Sequence, residues 1–149
     1  LIVFSQSITA TLYKKFSIEA DIKSSAFWQH FIVTIALAVV IILVAPILIK
    51  IVFGSNYESS ESLVQIFVIG AAAAALYQLP ATFFNARGHA NIIMLGTVMM
   101  SVVGIFSATI LIPVFGIKGA AFSYSITMVT YAAYTFYRYQ KLTFRRENV

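Results

Sequence analysis

FIVTIALAVVIILVAPILI, residues 31–49, runs for nineteen residues without a charge, and Lys50 closes it. At about 1.5 Å per residue, a helix of that length reaches roughly 28 Å, close to the thickness of a bilayer's hydrocarbon core. A soluble domain has little interior in which to hide such a run. Working outward, the run extends to residues 30–53, and three more uncharged stretches follow at 63–84, 92–113 and 119–137. The expected fold class is therefore all-α: an integral membrane helix bundle with four transmembrane helices.

Composition agrees. Hydrophobic residues make up 60% of the 149 and charged residues 10%, against roughly a quarter charged in soluble domains. The mean hydropathy is +0.91. Ten Lys and Arg against five Asp and Glu leave a net charge of +5. In a soluble protein that excess would suggest nucleic acid. Here the basic residues lie at span ends, where they set orientation and meet anionic lipid. Membrane lipid is thus an expected partner and nucleic acid is not. Without cysteine there is no disulfide and no thiolate metal site.

The opening LIVFSQSI is apolar, too short to span alone, and lacks a signal peptide's charged n-region. It reads as the end of an earlier helix, so the chain is expected to belong to a longer protein whose preceding helices are its neighbours. Residues 9–29 mix apolar and charged positions at near-helical spacing, as in an amphipathic helix lying at the interface. Together, residues 1–29 form the expected cytoplasmic lead-in, and Phe27 and Trp28 would anchor the first span. Pro46 is expected to bend that span.

GSNYESSES, residues 54–62, is a polar turn. The second span carries Gly70 and five alanines, Ala71 to Ala75, which suit close helix packing rather than lipid. NARGHAN, residues 85–91, is a short basic loop. The third span has Gly96, Ser101, Gly104 and Ala108 at near-helical spacing, and the fourth has Gly119 and Ser123. Between them, Pro113 and Gly116 are expected to stop one helix, with Gly119 starting the next. Tyr131, Tyr134, Tyr137 and Tyr139 read as an interfacial aromatic belt. Residues 138–149 read as a basic tail.

Charge tests the span count. Lys14, Lys15, Lys23, Arg87, Arg138, Lys141, Arg145 and Arg146 fall on one side, and Lys50 and Lys118 on the other. This positive-inside bias puts both ends in the cytoplasm.

Chemistry is sparse. No phosphate-binding loop, dinucleotide turn or metal-ligand spacing occurs. Enzymatic activity, a metal and a cofactor are not expected. The five acids, Glu19, Asp21, Glu58, Glu61 and Glu147, lie outside the uncharged stretches, so the carboxylate of a proton relay would have to come from elsewhere. Candidate substrate-binding residues are Gln78, Asn85, Arg87 and Lys50. Each has a plainer reading: hydrogen bonding between helices for Gln78 and Asn85, topology for Arg87, and snorkelling to headgroups for Lys50. His30 and His89 read as neutral interfacial histidines.

Three stretches carry a family likeness: the G-x-x-Y turn Gly54-Ser55-Asn56-Tyr57, the segment ATFFNARGHAN at 81–91, and LIPVFGIKGAAFSYSIT at 111–127. In these the chain resembles the C-terminal part of polysaccharide-type, O-antigen flippases, from the multidrug/oligosaccharidyl-lipid/polysaccharide exporter superfamily. The likeness covers roughly residues 13–141. It implies that the four helices complete a larger two-lobe transporter of the bacterial inner membrane. It also implies the cargo, an undecaprenyl-pyrophosphate-linked oligosaccharide moved between leaflets for surface polysaccharide synthesis, with polysaccharide polymerase machinery as a candidate partner. The alternatives are a cation-coupled multidrug exporter of the same superfamily and a non-transporting membrane assembly protein.

Overall fold

A computed structural model of the chain describes residues 2–3, 5–7, 24–54 and 60–147. Most of the expected interfacial segment at 9–29, and residues 55–59 of the turn after Gly54, lie outside the described residues. The described part is helical, with no strand among its residues. Four long helices follow one another: α1 (Ser24–Phe53), α2 (Ser60–Ala86), α3 (Ala90–Phe115) and α4 (Ile117–Glu147). Residues 2–3 and 5–7 are also helical.

Each helix outruns the uncharged stretch that forecast it, because a helix does not end where its apolar window ends. α2 stops at NARGHAN for a local reason. Gly88 adopts φ +71°. Its N–H bonds to the Asn85 carbonyl at 3.2 Å and that of His89 to the Phe84 carbonyl at 2.9 Å. This pair of bonds is the Schellman closure, which favours glycine at the left-handed position. The next stop departs from expectation. α3 continues through Pro113 to Phe115, and Gly116 alone breaks the path before α4 begins. Proline in the last turn removes a single bond, whereas the φ of +57° at Gly116 turns the chain, with its N–H on the Ile112 carbonyl at 2.8 Å. α4 then runs past Tyr137, without interruption, through the stretch read as a tail.

Three helices, α1 from Trp28, α2 and α3, are long and apolar enough to cross a membrane. α4 is longer but less apolar, because it carries Ser, Thr and Tyr where α1 carries Ile, Leu and Val. Those polar side chains turn inward. Ser123, Ser125, Thr127, Tyr131 and Thr135 are all buried.

Contacts fix the arrangement. α2 and α4 run parallel, with Ser125 on the Ile66 carbonyl, Tyr77 on Tyr131 and Phe83 on Tyr139. α1 lies antiparallel along α2, pairing Ala38 with Val68 and Ala72. α3 lies antiparallel along α4, pairing Ser107 with Ser123 and Ile92 with Tyr134. α2 and α4 thus form an inner pair, and α1 and α3 cover it. The outer helices leave apolar faces open: Ile51 is 75% exposed and Ile105 70%.

Small residues set the spacing of α4 against both α2 and α3. A Cβ at Gly70 would stand 2.7 Å from Tyr124 Cδ1 and 2.8 Å from Ser125 Cα. One at Gly96 would stand 2.6 Å from Tyr131 Cε2. Ala72, Ala73, Ala74 and Ala75 are buried beside them, as the alanine run implied. The tyrosines depart from the expected belt. Tyr131 is buried and Tyr134 and Tyr139 are partly so, because they fill the room left by Gly96 and pack on Phe83; only Tyr137 is largely exposed.

Gly70→Ala should lose about 1–3 kcal/mol of stability through forced repacking. Gly104→Ala, whose Cβ would sit 3.4 Å from Thr127 Oγ1, should be neutral or gain up to about 1 kcal/mol from helix propensity. Unfolding in detergent, followed by circular dichroism, measures both.

Candidate functional site

The helix directions sort the charges. Arg87, Arg138 and Lys141 come to one end of the bundle, and Lys50, Glu61 and Lys118 to the other. The four candidate residues therefore do not meet. Gln78, Asn85 and Arg87 share the C-terminal part of α2, whereas Lys50 ends α1 near the opposite end of that helix. A 27-residue helix is about 40 Å long.

The three on α2 differ in setting. Gln78 and Asn85 are seven residues apart and so lie on one helix face. Gln78 is half-buried, with no hydrogen-bond partner among the described residues, and Asn85 is exposed. Arg87 is half-buried, and its guanidinium lies 5.7 Å from the centre of the Phe83 ring, in cation–π range. Phe83 in turn meets Tyr139 of α4 edge-on at 5.3 Å. Arg87 thus covers the aromatic cluster where α2 and α4 close, and it caps the Schellman turn. Lys50 is exposed, and its carbonyl accepts the Gly54 N–H at 3.1 Å.

A buried polar pair lies elsewhere in the bundle. His30, expected at an interface, is 3% exposed and Ser5 is 1% exposed. The Ser5 hydroxyl donates to the Ala75 carbonyl at 2.8 Å, and His30 Nε2 lies 3.1 Å from the same oxygen. A proton on Nε2 lets the imidazole donate to that carbonyl; Nδ1 is then an acceptor, buried without a partner among the described residues. Pro80 supplies no N–H to the Leu76 carbonyl, which is the neighbour of the acceptor used here. The Ala75 carbonyl itself takes Ser5 and His30 as donors, and these bonds tie the residues before α1, and α1 itself, to α2.

Sequence reasoning missed this node. The available signal was a histidine and a serine on segments preceding the alanine run of α2. It missed the hydroxyl ladder of α4 as well. Ser123 and Ser107 share a bond at 2.7 Å, Ser123 also reaches the Gly104 carbonyl, and Ser125 donates to Ile66 at 2.6 Å. These bonds between helices are worth about 0.6 kcal/mol each on average. Among the described residues no group of His, Asp and Glu has a metal-binding arrangement.

His30→Leu should cost about 1 kcal/mol, the net value of a buried hydrogen bond. Unfolding in detergent measures the loss, and a variant as stable as the parent would show that the bond to the Ala75 carbonyl contributes nothing.

Compared with known proteins, the chain matches no family model, no curated protein and no solved structure.

Proposed function

We propose that the chain is the membrane-embedded C-terminal part of a flippase for lipid-linked oligosaccharide, with α4 as a fourth span. The observation that carries this reading is the turn at 111–127, where the family likeness is strongest. It has a physical counterpart: a Cβ at Gly119 would collide with the Leu111 carbonyl, so the glycine is what lets α3 and α4 close at that turn. The open apolar faces of α1 and α3 suit lipid and the helices of a second lobe. A sugar–pyrophosphate headgroup cannot cross hydrocarbon unaided, because its desolvation cost far exceeds thermal energy. A polar lumen between lobes would remove that cost, and Gln78, Asn85 and Arg87 are the residues of this part proposed to face it. Lys50, at the opposite end, is assigned to lipid.

The described acids, Glu61 and Glu147, sit at helix ends, so the carboxylate of a cation-coupled exporter would have to come from elsewhere. One observation favours a non-transporting assembly protein: the candidate polar residues do not surround a common cavity. The two readings part in a cell. Loss of the intact protein from a bacterium with no second flippase should stop surface polysaccharide and leave the lipid-linked unit in the inner leaflet. Normal export would sink the flippase reading.

The same proposal places the basic end of the bundle in the cytoplasm of the inner membrane. The chain has no cysteine, so single cysteines report sidedness cleanly. Lys118→Cys should react with an impermeant maleimide added outside spheroplasts, and Gln140→Cys only after permeabilisation.

A further inference from the structure

We propose that the groove between the N-terminal parts of α2 and α4 holds one acyl chain of an anionic phospholipid, with Lys118 on its phosphate. The groove has a volume of about 380 Å³ and is lined by Leu63, Val64, Phe67, Ile117, Ala120 and Ala121. Its walls are apolar throughout. It exists because α4 presents alanines where α2 presents larger side chains, on the far side of the close contact at Gly70 and Ser125.

Shape narrows the occupant. Leu63 and Val68, which also lines the groove, are separated by roughly 7.5 Å of helix axis. A slot that short takes part of a hydrocarbon chain and gives a second helix little length to seat on. Charge narrows it further. Lys118 directly follows Ile117 of the lining, is exposed, and makes no ion pair among the described residues. Lys50 stands at the same end of the bundle, also unpaired among the described residues. Glu61 is the one described acid there, and it makes no ion pair with either lysine among the described residues. An apolar slot with an unpaired ammonium beside it matches a lipid that carries both a chain and a negative headgroup. A sterol or a neutral lipid would leave the lysine unused.

This inference needs the chain to sit in a membrane but does not depend on its cargo. Co-flotation of the chain with vesicles checks the first point separately. The test exposes the purified chain to mixed micelles of phosphatidylglycerol and phosphatidylcholine with identical chains, and counts bound lipid by native mass spectrometry. Phosphatidylglycerol should be retained about five-fold over phosphatidylcholine, the preference expected of one lysine near a headgroup. Lys118→Gln should abolish that preference while lipid still binds. Ala120→Phe, which fills the groove, should reduce both lipids to background with helicity unchanged. Equal retention of the two lipids, an undiminished preference in Lys118→Gln, undiminished binding in Ala120→Phe, or a dimer in place of the lipid adduct would each overturn the assignment.

Discussion

The structure depends on how closely α2 and α4 approach. In lipid, apolar side chains gain little by leaving one hydrocarbon environment for another, so helices must be held by dense packing and by polar bonds. Gly70 lets α4 lie directly on α2, with Tyr124 and Ser125 against the glycine. Once the backbones are that near, the Ser125 hydroxyl reaches a carbonyl of the other helix. Packing and hydrogen bonding are thus one device. Larger residues at the contact would remove both.

That device explains why the inner helices are the less apolar ones. α1 and α3 show isoleucine, valine and phenylalanine outward, and few of their residues are buried. α4 carries hydroxyls because its neighbours supply acceptors. Thr127 and Thr135 return their hydrogens to carbonyls of their own helix, whereas Ser123 and Ser125 reach across to another. A helix with this content would be a poor solute for lipid on its own, and its partners α2 and α3 make it acceptable.

Much of this was legible in the sequence. The helices, their order and the buried alanine run follow from uncharged length and small-residue spacing. The segregation of Arg87 from Lys50 and Lys118 follows from alternating direction. What was not legible depended on which face of a helix meets which neighbour. Tyrosines near a span end read as an interfacial belt, yet Tyr131 packs against Tyr77 because Gly96 opens a space for it. His30 read as interfacial because its neighbours in sequence are so. Its partners Ser5 and Ala75 are 25 and 45 residues away, and no local pattern announces them. Lys50 stands at the far end of the bundle from Gln78, Asn85 and Arg87, a separation that alternating helix direction already implies.

The parallel setting of α2 and α4 carries a consequence for biogenesis. If α4 is the fourth span proposed above, neighbours that point the same way cannot enter as a hairpin, and α3 has to cross back between them. When α4 leaves the ribosome, the carbonyls of Ile66 and Gly104 that receive its serines already exist on the two preceding helices. Synthesis order would then prepare the acceptors before the donors arrive, so that the most polar helix would not partition into lipid alone.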